Sequence, residues 1–350
     1  MNRGSGATIV MADDGVPFDG GSLNDGPLGG AETAFIGLAQ GLAARGHRVR
    51  AFTRTSRRIE LDGVSWSPIE SIQAEQCDLY IANRGARVLD LMPGARRVAF
   101  WVHNPARYLL KARYLWRLLR RRPVIVFVGD WHATTLPSWV PSRDRRVIPL
   151  GLSAVFRGLP RRTPPAPRAI FTSNPLRRLD WLLDRWIDEI RPNVPGASLH
   201  IYSSLATYGD LAPKHQALVA HILAKAEAAA DKGVVLAPPL AKSALAGALA
   251  QSRVFLYGGD PGETFCLAAA ESQAAGVPGV VARSTCLEER VRNGESGFVV
   301  ADDDSAGFSA RAIDLLRDDN LWQAQHDACR ARQQGLSWTE VAALWEDLLP

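Results

Sequence analysis

The sequence predicts an α/β protein made of two doubly wound parallel sheets. Three observations carry that prediction. Short apolar runs alternate with helical periods along nearly the whole chain, a stretch rich in proline and arginine interrupts the alternation at Phe156–Ala169 ("FRGLPRRTPPAPRA"), and the alternation restarts after it. With 350 residues the chain is too long for one small core and suits two ordinary domains. The expected division is a first domain over 1–155, a linker over 156–168, a second domain over 169–335 and a final amphipathic helix over 336–350.

The first half opens with "ATIVMA" (Ala7–Ala12), a short apolar run of the kind a buried strand shows. A glycine-rich loop follows. Then Ala34, Leu38, Leu42 and Arg45 step by three or four, and Gly46 is placed to end the helix. "HRVRAFTR" alternates like a strand, and "CDLYIAN", "RRVAFWVHN", "PVIVFVGD" and "RRVIPLGL" read as further strands. In the second half "RAIFTSN", "SLHIYSS", "GVVLAPPL", "RVFLYGG" and "GVPGVVAR" read as strands, with helices "RLDWLLDRWIDEI" and "KSALAGALAQS" between them. Two such halves place a cleft between them, and ligands of open parallel sheets bind beyond the carboxyl ends of the strands.

Composition narrows the class. The longest apolar runs fall far short of the ~18 residues that span a bilayer, and no basic region followed by a long apolar stretch marks a signal peptide. Cys77, Cys266, Cys286 and Cys329 lie scattered without CxxC spacing, which argues against a zinc ribbon or a disulfide framework and for a reducing, cytoplasmic compartment. Between Leu91 and Gly129 there is no acid and there are nine cations, among them Arg113, Arg117, Arg120, Arg121 and Arg122. The partner of that surface is expected to be anionic.

Four loops that follow predicted strands hold the chemistry. Gly29 and Gly30 precede a helix expected near Glu32, where amide groups attract anions and glycine lets a phosphate approach the backbone; a plain flexible turn is the competing reading. His103 ends a strand in "WVHNPARY", as a cleft residue or as a structural histidine bonded to backbone. In "TSNPLRRLDWLL", Asn174 leads into Arg177 and Arg178, expected in the first turn of a helix, where a cation is disfavoured by ~0.3–1 kcal/mol. An anion there offsets that cost, whereas a solvated basic turn bears it. Finally, "PGETFCLAAAESQAAGVPGVV" carries Glu263 and Glu271. Eight helical residues turn by ~800° and rise ~12 Å. If Glu263 lies in the loop it folds over the helix start, and the amides of Thr264, Phe265, Cys266 and Leu267 face the same space. An anion flanked by two hydroxylated groups fits such a place, and two solvated surface acids fit the spacing equally well.

The order of these segments adds what spacing leaves open. "GGAETAFIGLAQGLAARGHRV", "VIPLGL", "RRLDWLL", "LAGALAQSRVFLY", "GETFCLAAAESQAAGVPGVV" and "CLEERVRNGESGFVV" resemble, in this order over nearly the whole chain, the retaining GT-B glycosyltransferases of family 4 (glycosyl transferases group 1). The resemblance implies two Rossmann-like domains facing across a cleft, with the C-terminal helix crossing back to the first. It implies a nucleotide-diphosphate-sugar donor held mainly by the second domain, with Glu263 on the donor sugar and Glu271 on the ribose. It further implies Gly30 near a phosphate, His103 near the donor sugar and Arg177 on the diphosphate. Where the family usually has Gly-Arg before that cation, the chain reads Ser173-Asn174, and the following glycine-rich turn reads "YSSLATYGD".

The expected activity is transfer of a sugar to a hydroxyl acceptor with retention, in envelope polysaccharide or lipopolysaccharide assembly, without metal or other cofactor; Asp13 and Asp14 in "MADDG" are a weak metal alternative. On residues 107–122, Tyr108, Ala112, Leu115 and Leu119 form one stripe and the arginines another, a pattern for an anionic membrane surface or for a core helix with a solvated basic face. The membrane reading makes the acceptor lipid-linked and places the protein at the inner face of the cell membrane. No aromatic-basic motif points to nucleic acid. A sugar-nucleotide epimerase and a non-catalytic nucleotide-sugar binder are the alternatives.

Overall fold

The computed structural model describes residues 6–26, 28–204, 213–332 and 336–350. Most of the "YSSLATYGD" turn, from residue 205 on, lies outside the described residues. The chain divides into two compact units, one of Met1–Asp25, Gly30–Gly151 and Leu336–Pro350, the other of Gly26–Gly29 and Leu152–Gly335.

The first unit holds strands β1 (Thr8–Asp13), β2 (Arg48–Thr53), β3 (Ile59–Leu61), β4 (Val64–Pro68), β5 (Cys77–Asn83), β6 (Ala95–Trp101), β7 (Val124–Phe127) and β8 (Asp144–Val147). They lie in the order β3-β4-β2-β1-β5-β6-β7-β8, and every neighbouring pair is parallel except β3–β4. That hairpin is absent from the sequence reading, yet its signal is local. Asp62 and Gly63 both have positive φ, 50° and 75°, as a two-residue Asp-Gly turn of the primed type requires.

Helices α1 (Gly30–Ala44) and α2 (Ala112–Arg121) belong to this unit. The α1 helix is buried on nearly every side, so Ala34, Leu38 and Leu42 mark only one of its two covered faces. Gly37 and Gly41 form the other. A Cβ on Gly37 would stand 2.2 Å from the Trp338 ring, and one on Gly41 would stand 2.5 Å from the Trp338 carbonyl. The two glycines, one turn apart, make a groove that only a bare backbone provides, and the C-terminal helix lies in it.

The second unit holds β9 (Arg168–Phe171), β10 (Ser198–Tyr202), β11 (Val234–Ala237), β12 (Val254–Tyr257), β13 (Gly279–Ala282) and β14 (Gly297–Val300), all parallel in the order β11-β10-β9-β12-β13-β14. Its helices are α3 (Leu179–Arg185), α4 (Pro213–Ala228), α5 (Lys242–Ala250), α6 (Leu267–Ala274), α7 (Ser305–Arg317) and α8 (Asp319–Arg332). The last helix, α9 (Trp338–Glu346), returns to the first unit. The units meet in sequence between Gly151 and Leu152, ahead of the proline-rich stretch. That stretch is tied to the second unit. Arg161 pairs with Asp327 at 2.8 Å, and Arg162 donates to the carbonyls of Ala250 and Ala275, the latter at 2.7 Å.

The expected stripe over residues 107–122 divides: Tyr108 and Leu115 pack, partly buried, against the same core as the buried Tyr114 and Leu118, whereas Ala112 and Leu119 are exposed. Leu119 is 57% exposed and Trp116 is 65% exposed. Asp90, the residue just before the acid-free run, gathers the basic face of the helix: Arg117, Arg120 and Arg121 all bond its carboxylate, at 2.7, 2.6 and 3.4 Å. Among the described residues no helix is long and apolar enough to cross a membrane.

The start of α9 is fixed by a capping box, in which Ser337 Oγ accepts from Glu340 N–H and the Glu340 carboxylate accepts from Ser337 N–H. Near its other end Glu346 accepts from Arg45 at 2.6 Å and contacts His47 at 2.9 Å. The hydrogen bond from Arg45 holds the Glu346 carboxyl down, at about 2 against an ordinary 4.5. Two predictions follow from this docking. Gly37→Ala is expected to destabilise the first unit by about 1–3 kcal/mol, the usual cost of overfilling a tight contact, read as a lowered thermal midpoint. Because the folded pKa of Glu346 is depressed, its contribution is complete above pH 4.5 and is lost as pH falls toward 2. Acid titration followed by tryptophan emission should show a transition in that window, and Glu346→Gln should flatten it.

Candidate functional site

In the second unit the strand order reverses between β9 and β12, and the loops leaving those two strands flank the crevice where parallel sheets take ligands. The β9 loop brings Arg177 and the β12 strand ends on Tyr257. Arg177 donates to the Glu263 carboxylate and to Tyr257 Oη at 3.4 Å, and Tyr257 donates to the same Glu263 oxygen at 2.8 Å. Asp260 stands 3.8 Å from the guanidinium. Burial opposes the charge of Arg177, but the Glu263 carboxylate outweighs it and holds the arginine pKa above its ordinary value.

Glu263 lies in the loop and folds over the start of α6, where its second oxygen accepts the Cys266 amide at 3.2 Å. Thr264, Phe265 and Cys266 therefore precede the helix rather than form its first turn, and all three are buried. Cys266 takes a left-handed backbone, φ 60°, and Leu267 is the first helical residue. The expectation of four helix-start amides is corrected accordingly: one of them is already taken by Glu263. Phe265 lies under the Arg290 guanidinium, 4.2 Å from its ring centre.

Arg177 and Arg178 also precede their helix, because Arg178 is a left-handed cap to α3, φ 59°. Asn174 shapes this turn by accepting the Leu176 amide on its side chain and the Arg177 amide on its carbonyl, both at 2.9 Å. Arg178 points elsewhere. It bonds Asp302 and the Gly258 carbonyl and stacks on Trp181 at 4.5 Å, so its role is to join the β12 loop to the "ADDD" loop.

Glu271 sits on α6 with a 6% exposed side chain and pairs with Lys242 at 2.5 Å. Lys242 is missing from the sequence reading. Its signal is the one that marked Arg177, a cation where a helix begins, here the first residue of α5. Tyr257 is missing too, and its signal is a polar ring ending an apolar strand before Gly258-Gly259.

In the first unit the reversal falls between β1 and β5. Asp13 ends one strand and Asn83 the other, and both are fully buried. Arg84 binds Asp13 through two nitrogens, at 2.7 and 3.0 Å, and reaches Glu32 in the first turn of α1 at 2.9 Å. Asn83 donates to Asp13 at 2.6 Å, which turns its carbonyl oxygen toward His103 Nε2 at 2.9 Å. An amide oxygen only accepts, so His103 carries its proton on Nε2. Burial, then the positive charge of Arg84, push the His103 pKa well below 6.5, and the ring is neutral at physiological pH. Gly30 is the first residue of α1, two positions before Glu32, and Gly29 immediately precedes it. Asp13 is bound by an arginine and an amide, and among the described residues no group of three or more His, Cys, Asp or Glu side chains is arranged to hold a metal ion.

Comparisons with known proteins bear on the second unit first. Residues 167–318 match the family model described as glycosyl transferases group 1. The second unit is a glycosyl transferases group 1 domain. No curated protein matches the chain. Among solved structures, sucrose-phosphate synthase from Thermosynechococcus elongatus superposes with a TM-score of 0.74 at 15% identity, covering 98% of each chain. HepE from Anabaena, in complex with UDP and glucose, gives 0.72 at 14% identity over 97% of this chain and 98% of its own. WaaG, a glycosyltransferase involved in lipopolysaccharide biosynthesis, gives 0.67 at 12% identity over 97% and 99%. These likenesses establish the GT-B fold. The glycosyl transferases group 1 domain thus contains Arg177, Tyr257, Glu263, Glu271 and Lys242.

Removing the ammonium from Lys242 leaves the Glu271 carboxylate without its cation. Lys242→Met is expected to lower stability by about 1–3 kcal/mol, and Glu271→Gln in the same chain should recover much of it. Denaturant melts of the two variants measure this.

Proposed function

We propose that this glycosyltransferase takes its sugar from a nucleotide-diphosphate sugar and transfers it with retention to a hydroxyl acceptor. The cluster of Arg177, Tyr257 and Glu263 carries the proposal, since it stands at the sheet's reversal inside the family-matched segment. Without ligand the guanidinium and the carboxylate satisfy each other. A donor offers both a better partner: its diphosphate takes charge-assisted bonds from Arg177, and a sugar hydroxyl donates to Glu263. As the glycosidic bond breaks, negative charge grows on the leaving diphosphate and the fixed arginine stabilises it. Glu271, held by Lys242, accepts from the ribose. Asn174 orders the turn that presents Arg177, and Arg178 steadies the neighbouring loop.

His103 enters this reading as a neutral hydrogen-bonding ring. Its Nε2 proton is committed to Asn83, so it orients a hydroxyl rather than delivering a proton. Gly29 and Gly30 take the phosphate-approach role that the family resemblance implies. The reaction needs no metal, and the diphosphate oxygen itself accepts the acceptor's proton.

The acceptor is proposed to be lipid-linked, in polysaccharide or lipopolysaccharide assembly at the inner face of the membrane. Support comes from α2, where Trp116 and Leu119 face outward beside Arg113 and Arg120. Aromatic and aliphatic side chains flanked by cations suit the surface of an anionic bilayer.

A thermal-shift panel of UDP-, GDP-, ADP- and TDP-sugars should single out one base. Arg177→Ala and Glu263→Gln should each lower transfer by about 10- to 100-fold, corresponding to ~1.5–3 kcal/mol for a bond to a charged group. EDTA should leave the rate unchanged, and the product anomer should match the donor's. Wild-type rates in both variants, or no shift with any donor, would sink the assignment.

A further inference from the structure

A concentration of positive charge in the first unit lies at the opposite edge of the sheet from Asp13, Asn83 and His103. A cavity of 190 Å³ is lined by Arg96, Arg97, Arg120, Arg121, Arg122 and Arg143. Arg96 and Arg97 open β6, Arg122 and Arg143 precede β7 and β8, and these strands are parallel. The cavity therefore sits at the amino edge of the sheet. His103 follows the carboxyl end of β6, about 20 Å away at ~3.3 Å per residue.

Structure explains part of this cluster. Asp90 engages Arg120 and Arg121, Asp78 engages Arg96 at 3.1 Å, and cations at the end of α2 suit the helix dipole. It does not explain the rest. Among the described residues Arg97, Arg122 and Arg143 have no carboxylate partner, and Arg97 Nε is buried without a hydrogen-bond partner. Arg122 also occupies a left-handed cap, φ 42°, where glycine is the usual residue and a side chain is disfavoured. Arg97 and Arg143 gain nothing from a helix dipole, since both belong to strand starts.

We propose that this cavity is a second anion site that binds a phosphate-bearing ligand. Guanidinium forks match phosphate oxygens in pairs, and several converging forks favour a group with more than one negative charge. The volume equals the liquid share of about six water molecules, at ~30 Å³ each. It falls below the roughly 300 Å³ at which pockets for drug-sized ligands begin. A phosphate monoester or a diphosphate fits within it. The site is independent of the donor site of the proposed function.

Pyrophosphate titrated into the full chain by calorimetry is the direct test. The double variant Arg122→Gly and Arg143→Ser removes two unpaired charges, and glycine suits the left-handed backbone, so the fold is spared. Measured in the Arg177→Ala background, which removes the diphosphate contact of the donor site, pyrophosphate should still bind, and adding the double substitution should weaken that binding at least tenfold. Equal binding with and without the double substitution in that background, or no binding in Arg177→Ala alone, overturns the proposal. Sedimentation with phosphatidic-acid vesicles then separates the sources. Loss of vesicle binding in the double variant assigns a lipid headgroup, whereas unchanged vesicle binding with lost pyrophosphate binding assigns a soluble phosphate.

Discussion

Parallel pairing is the constraint on which the rest of the structure depends. When all strands run the same way, every loop that leaves a strand emerges at one edge, and every residue that opens a strand gathers at the other. Asp13, Asn83 and His103 meet at the carboxyl edge of the first sheet because β1, β5 and β6 end there. Arg177, Tyr257 and Glu263 meet at the carboxyl edge of the second because β9 and β12 end there. The same rule collects Arg96, Arg97, Arg122 and Arg143 at the amino edge of the first sheet. No pairwise contact arranges these groups; the strand direction does.

In each carboxyl-edge cluster the cation is paired with a carboxylate. Arg84 lies between Asp13 and Glu32, Arg177 is bonded to Glu263, and Lys242 to Glu271. A buried charge left unpaired would be costly, so pairing is what allows ionic groups to stand ready inside a protein. It also orients them. The chain from Arg84 through Asp13 and Asn83 to His103 fixes which imidazole nitrogen holds the proton, and the contact with Arg177 fixes the Glu263 carboxylate over the α6 start. The arginine cavity differs in this respect, since its cations outnumber the nearby acids.

Much of the fold was legible locally. The strands of both halves, the final helix with its Ser337–Glu340 box, and the Asp62-Gly63 turn all have signals within a few residues of themselves, although the turn was passed over. Glu263 and Arg177 were legible as acid and cation in loops after strands. Arg177 and Arg178 were expected within a helical turn that they precede, because Arg178 adopts a left-handed backbone that spacing does not reveal, and the left-handed Cys266 likewise delays the start of α6 to Leu267. The stripe over residues 107–122 was legible only in part: Tyr108 and Leu115 pack against the core while Leu119 stays exposed, and Asp90, outside α2, gathers three of its arginines.

The sequence by itself determined the alternation of strands and helices, the two-unit organisation, and the kinds of charge available in each loop. These follow from periodicity and residue chemistry, which are properties of neighbours along the chain. Only the tertiary structure decided partners. That Lys242 serves Glu271, that Asn83 orients His103, and that Gly37 yields to Trp338 are matters of distances between residues from about 20 to about 300 positions apart. Such pairings are set by sheet order and by how helices cover the sheets, and no local pattern encodes them.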